Sequence, residues 1–143
     1  MSGETATLLR LIHARVVEVS GTARAYQDQV PAKDPRTQLP PVFPYVAWRV
    51  TGFAEDEARD LGGLEVDVWD VNPDTAALER LADLLDGDGA KTSPSGLHRH
   101  RWYIHDDVGA VLHRVSRLSV PDPDPGIKRR QLRYRIQAYL VRG

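Results

Sequence analysis

This sequence of 143 residues contains no cysteine, which excludes disulfides, thiolate metal ligands and a cysteine nucleophile. It has almost no charge imbalance: 19 Lys and Arg stand against 20 Asp and Glu, a net charge of −1. Bulk electrostatics therefore point to neither nucleic acid nor an anionic membrane surface. No apolar run approaches the ~20 residues that a spanning helix needs. The opening stretch MSGETATLLRLIHAR lacks a basic segment followed by an unbroken apolar one, so the expectation is a soluble cytoplasmic domain without a secretory leader. A phosphate-binding glycine loop is missing too. GDGAKTSPSG holds a Lys-Thr pair but neither the required spacing nor a strand before it. Ser20, Ser95 and Ser116 stand in no nucleophile-elbow context.

What the chain does have is ordinary globular composition, 41% hydrophobic and 27% charged, with ten prolines that cluster. Its length favours one domain over 1–143. Leu8, Ile12, Val16 and Val19 recur at helical spacing and predict a helix over 4–19. The β-branched Val16, Val17 and Val19 weaken its end, and Gly21 stops it. A short strand over about 22–26 is expected next. Residues 27–44 then carry Pro31, Pro35, Pro40, Pro41 and Pro44. Such a segment is either an extended, polyproline-like arm at ~3.1 Å per residue that reaches outward, or a surface loop packed on its own domain.

Alternation predicts strands over 45–51, with Val46, Trp48 and Val50 on one face, and over 64–71, with Leu64, Val66 and Val68 opposite Glu65, Asp67 and Trp69. The acidic stretch FAEDEARDLGG, 53–63, reads as the turn between them. VNPDTAALERLADLLDGDG is the clearest helix, with Asn72 as N-cap, Pro73 in its first position, Leu78, Leu81, Ala82 and Leu85 on one face, and Gly87 or Gly89 at its end. A flexible loop over 87–96 leads to a strand over 98–105, and a second strand covers about 109–120. PDPDPG, within a second flexible loop at 121–128, excludes regular structure. Last comes a strand over 129–142, with Leu132, Tyr134, Ile136, Ala138 and Leu140 on one side and Arg133, Arg135 and Gln137 on the other. At full length it would span ~46 Å, far more than the ~14 Å radius of gyration of such a domain. It must curl, fray or protrude, and a protruding strand is a template for assembly. Connections too short for repeated crossovers make the fold class α+β: one antiparallel or mixed sheet with two helices on one face and a long proline-rich loop.

Candidate chemistry is thin. His98 and His100, two apart on the expected strand, would share a face and could present nitrogens to a metal, with His105, His113, Asp106 and Asp107 nearby. The interleaved Arg99 and Arg101 oppose a divalent cation, so a polar strand face is the better reading. Glu65 and Asp67 read as a solvated strand face rather than an acid–base pair. KRRQLRYR, 128–135, could hold phosphates, though the outer face of a strand explains it as well. No catalytic residue, cofactor or metal is assigned.

Taken in order, the N-terminal helix, the loop ending in PPVFPYV, the strand closing in VDVWD, the helix TAALERLADLL and the final RRQLRYRIQAYL resemble the tail terminator, or tail completion, proteins of long-tailed bacteriophages and prophage-derived particles. Pro44 and Tyr45, the passage from Val66 to Leu85, and Arg133 with Tyr134 carry the likeness, which covers nearly the whole chain. The resemblance implies a homo-hexameric ring that caps the tail tube, ends its polymerisation and docks to the head–tail connector. It also implies residence in the virion neck after assembly in the host cytoplasm, without catalysis or cofactor. DNA would pass through the lumen without specific binding, compatible with the acidic segment from Glu55 to Asp60. On that reading Pro40, Pro41, Phe43 and Tyr45, at the end of the proline segment, and Arg133, Arg135 and Tyr139, on the last strand, are the expected interface residues. Alternatives are another neck component, such as a head–tail stopper or minor capsid protein, and a metal-dependent hydrolase using His98 and His100.

Overall fold

The computed structural model describes residues 3–21, 24–52, 60–105 and 108–140. Its elements are α1 (Gly3–Val19), β1 (Arg24–Gln27), β2 (Tyr45–Thr51), β3 (Asp60–Asp70), α2 (Ala76–Asp86), β4 (Arg101–His105), β5 (Val108–Ser119) and β6 (Lys128–Leu140). The strands form one mixed sheet in the order β1-β2-β3-β6-β5-β4, parallel only between β1 and β2. The class is therefore α+β with a single sheet. Both helices contribute to one core with the sheet. Leu8, Ile12, Val16 and Val19 of α1 and Leu78, Leu81, Ala82 and Leu85 of α2 meet Val46, Trp48, Leu64, Val66, Leu112, Leu132 and Ile136 there.

Burial overrides local preference at both helices. α1 continues through its β-branched end because Val16 and Val19 are buried against the sheet. The indole N–H of Trp48 donates to Nδ1 of His13 at 3.2 Å, so the bulkiest core side chain leaves no donor unpaired. α2 starts later than expected, at Ala76 with Thr75 as its N-cap and no side-chain capping bond. Asn72 and Asp74 instead accept from the backbone N–H groups two residues on, those of Asp74 and Ala76. Each buried leucine of α2 contributes ~1.5–3 kcal/mol, which outweighs the ~1 kcal/mol of a missing cap. Gly87, at φ 78°, closes the helix, as its position in the sequence suggests.

The last strand does not protrude. β6 is an interior strand, paired with β3 from Lys128 to Gln137 and with β5 from Arg130 to Leu140. Register shifts between Asp60 and Gly62, Tyr103 and His105, and Arg114 and Ser116 bend the sheet around it. Of the three ways to house so long a strand, curling within the sheet is the one adopted, and strand length alone cannot tell an edge from a centre. Only the pairing partners can.

Other boundaries move by smaller amounts. The first strand is Arg24–Gln27, residues 22 and 23 lying outside the described residues. β3 begins at Asp60, inside the stretch expected to be a turn, while 53–59 lie outside the described residues. The acidic segment from Glu55 to Asp60, compatible with unhindered passage of DNA, falls mostly outside the described residues.

On the core side, α2 is also tied to the sheet by charge. Glu79 receives Nε of Arg130 and Nη2 of Arg117, and Arg117 also reaches Asp83 at 2.6 Å. Asp86 is buried at the end of α2, where the helix dipole disfavours a carboxylate. The Tyr134 hydroxyl at 2.8 Å and an Arg114 guanidinium nitrogen at 2.7 Å compensate it. Burial first, and then the neighbouring Asp86, push the Tyr134 hydroxyl pKa far above its usual value.

Candidate interface on the helix-free sheet face

Alternation puts Tyr45, Ala47 and Arg49 of β2, Glu65, Asp67 and Trp69 of β3, and Arg129, Gln131, Arg133 and Arg135 of β6 on the side away from the helices. The segment between β1 and β2 has no helix or strand, and it folds back rather than reaching outward. Asp34, only 3% exposed, is its hub. The Asp34 carboxylate accepts the Tyr26 hydroxyl at 2.8 Å and the backbone N–H of Arg36 at 2.8 Å, and its carbonyl accepts the N–H of Gln38 at 2.8 Å. The N–H of Arg36 first, then the Tyr26 hydroxyl, hold the Asp34 carboxyl below its usual pKa. Of the two geometries open to a proline-rich segment, the self-packed loop is the one adopted over 28–39.

At the end of that loop Pro40 is exposed and Pro41 half-buried. Phe43 stacks on Tyr45 with ring centroids 4.7 Å apart, and Tyr45 lies 5.3 Å from Trp69 and edge-on to Tyr26 at 6.2 Å. Arg129 covers the far side of the row, its guanidinium carbon 5.1 Å from the Trp69 ring centre. Burial, with a smaller push from Asp122, raises the Tyr45 pKa, so the loop between β5 and β6 comes down at the same corner. Phe43 and Tyr45 are thus part of one aromatic row, half-buried rather than free.

Beside this row the two carboxylates expected to be solvated differ: Glu65 is half-buried, and Asp67 is not solvated. Asp67 is 1% exposed. It takes Nη2 and Nε of Arg129 at 2.9 and 3.0 Å, Nε2 of Gln131 at 3.0 Å, and a more distant Arg49 nitrogen at 3.9 Å. Glu65 takes Arg49 at 2.6 Å and the same Gln131 nitrogen at 3.0 Å. The long arginine and glutamine side chains lie over Asp67 and shut water from it, an effect that alternation cannot reveal.

Past Gln131 the face changes character. Arg133, exposed, spends its Nε on Gln131 at 2.6 Å, and Arg135 is exposed and paired in register with His113 of β5. Burial first, then Arg135, His98, Arg99 and Arg101, lower the His113 pKa, so basic groups crowd around it. Tyr103, 69% exposed, stands at the β4 edge. Tyr139 is less free than the sequence suggests: its hydroxyl donates to the Trp102 carbonyl at 3.3 Å and its ring lies on Gly109. A Cβ at Gly109 would come 2.3 Å from that ring, which is why glycine stands there.

The histidine pair loses its geometric premise. Residues 98–100 form a turn before β4, with Arg99 at φ 69°, so alternation does not apply to them. Nδ1 of His98 accepts the Arg114 backbone N–H at 3.0 Å, whereas His100 packs edge-on to Trp102 at 4.7 Å. Burial, and then the Arg15 cation, hold His100 neutral with a pKa of about 4. Asp106, Asp107 and the His105 side chain lie outside the described residues. Among the described residues no three potential ligands gather as a metal site.

With this geometry in hand, comparison with known proteins adds no relative: no protein-family model and no curated protein matches the chain.

Proposed function

We propose that this chain is a structural subunit of a phage-type tail, a tail terminator. It would form a homo-hexameric ring that caps the tail tube, ends its polymerisation and joins the tail to the head–tail connector. The order of sequence features set out above motivates the family. The single structural observation that supports an assembly role is the divided helix-free face. One half carries the aromatic row, with Phe43 of the proline-rich loop stacked on it and Asp34 of that loop bonded to Tyr26. In the other half Arg133, Arg135 and Tyr103 are exposed, with no helix over them among the described residues. A sheet with helices on one side gains by burying its second side against a neighbour.

Under this reading Arg133, Arg135 and Tyr103 meet a neighbouring subunit or the tube protein, and Pro40 and Pro41 lie on a stiff loop whose docking loses little entropy. A basic face turned to the lumen would grip DNA and slow its passage, so that half belongs at a protein contact. Electron microscopy of tails assembled with and without the protein tests the proposal. Tails of fixed length only in its presence, with a ring at the head-proximal tip, are the expected result. Tails of unchanged length without it, or no ring at that tip, would reject it.

A further inference from the structure

The loop from α2 to β4 and the flank of α1 enclose a cleft of about 500 Å³, walled by Arg15, Lys91, Thr92, Ser93, Arg99 and Arg101. Among the described residues no carboxylate lines it, and His100, also in the wall, is held neutral by burial and by Arg15. Glu18 sits 2.5 Å from Nη1 of Arg15 and offsets that one cation. Arg101 borders the cleft, but its guanidinium carbon lies over the Tyr139 ring, 5.8 Å from the ring centre. Lys91 and Arg99 are the cations of this lining besides Arg15.

The loop that presents these groups is built, not loose. Gly87 and Gly96 touch so closely that a Cβ on Gly87 would lie 2.2 Å from the Gly96 nitrogen. The Asp88 carboxylate accepts the N–H groups of Ser95 at 3.0 Å and Ala90 at 3.1 Å, and the Asp88 N–H donates to the Ser95 hydroxyl at 2.9 Å. Leu97 anchors the loop's end in the core. From α1, Nη2 of Arg15 donates to the carbonyls of Pro94 and Gly96 at 2.9 and 3.0 Å, while its buried Nε has no hydrogen-bond partner among the described residues. Nη1 of Arg99 donates to the Gly89 carbonyl at 3.4 Å. The ends of the loop that carries the exposed Lys91, Thr92 and Ser93 are thus held before any ligand arrives, which lowers the ordering cost of binding.

We infer that this cleft is an oxyanion site for a phosphoryl group, with Lys91 and Arg99 as charged donors and the Thr92 and Ser93 hydroxyls as neutral ones. Arg15 acts as a positioning residue that holds the loop. A phosphoryl group offers several acceptor oxygens and more than one negative charge, so it suits donors converging from two walls better than a single carboxylate does. The cleft lies within the ~300–1,000 Å³ range of small-ligand sites, which makes pyrophosphate the appropriate probe.

Calorimetric titration of the full chain with inorganic pyrophosphate at low salt tests this, independently of any tail assembly. Saturable binding of one pyrophosphate per chain is expected, weakened about tenfold or more by Lys91→Glu and by Arg99→Ala, since charged hydrogen bonds are lost. Lys91 is exposed, so K91E keeps the fold in play even if R99A loosens the loop. Arg80→Ala, on the exposed part of α2, should change nothing. Absence of saturable binding, or equal affinity in K91E at an unchanged Tm, would overturn the site. Displacement of pyrophosphate by a short DNA duplex would assign the phosphoryl group to a nucleic-acid backbone. Binding that the duplex leaves intact would assign it to a free phosphate ligand.

Discussion

Arg129 grips Asp67 through two nitrogens, at 2.9 and 3.0 Å, and so neutralises a carboxylate that is buried in the middle of a sheet face carrying no helix. Removing one partner of such a pair strands the other charge. We expect Arg129→Ala to lower unfolding stability by about 3 kcal/mol or more, whereas Asp67→Leu combined with Arg129→Met should cost much less. Urea denaturation of the two variants gives the comparison. Equal losses in both would show that the ion pair is not what holds this part of the sheet.

Acid should loosen the seam between α2 and the sheet. Burial pushes the Glu79 carboxyl up, but hydrogen bonds and charge from Arg130 and Arg117 outweigh it, and its pKa ends below the ordinary 4.5. Asp34 is likewise held below 3.8. A carboxyl with a depressed folded pKa contributes stability above its unfolded pKa and loses that contribution as pH falls through the folded one. Stability should thus decline from about pH 4.5 downward, and Glu79→Gln should flatten that decline while weakening the protein at neutral pH. A parallel pH profile in E79Q would contradict this.

The proline-rich loop should open when its hub is removed. Asp34→Ala deletes the acceptor for the Tyr26 hydroxyl and the Arg36 N–H at once. Faster hydrogen exchange and proteolysis within 28–44 are expected, with core amides on β6 unchanged. Unchanged protection at the Gln38 amide, which bonds the Asp34 carbonyl, would mean that the loop is held by something else.

Gly109→Ala should be destabilising by about 1–3 kcal/mol, the usual range for overpacking, because the new methyl group meets the Tyr139 ring and the Trp102 carbonyl. Trimming the ring with Tyr139→Leu should recover part of the loss, leaving the share due to the carbonyl. A double-mutant cycle by thermal unfolding measures this. Additive losses would separate the two residues energetically.

Most element types were legible from periodicity. Leu78, Leu81, Ala82 and Leu85 mark one face of a helix whatever packs on it, and Val46, Trp48 and Val50 mark one face of a strand. The histidine turn was not legible, since HRHRWYIH alternates in sequence while Arg99 takes a left-handed backbone conformation that ends the alternation. The meeting of Arg15 with the loop that carries Lys91 was not legible either, since it needed a helix and a loop more than 70 positions apart in the chain to meet, as the Arg15 bonds to Pro94 and Gly96 record.

Spacing of apolar residues, proline placement and glycine at the end of α2 determined the helices, most of the strands and the α+β class, because these are local consequences of backbone geometry. The tertiary structure alone decided that the longest strand lies at the sheet's centre, that the proline-rich loop folds onto Asp34, and that Asp67 is buried beneath arginines. Those outcomes depend on which distant side chains meet, and charge pairing and burial between them, rather than any local pattern, set the result.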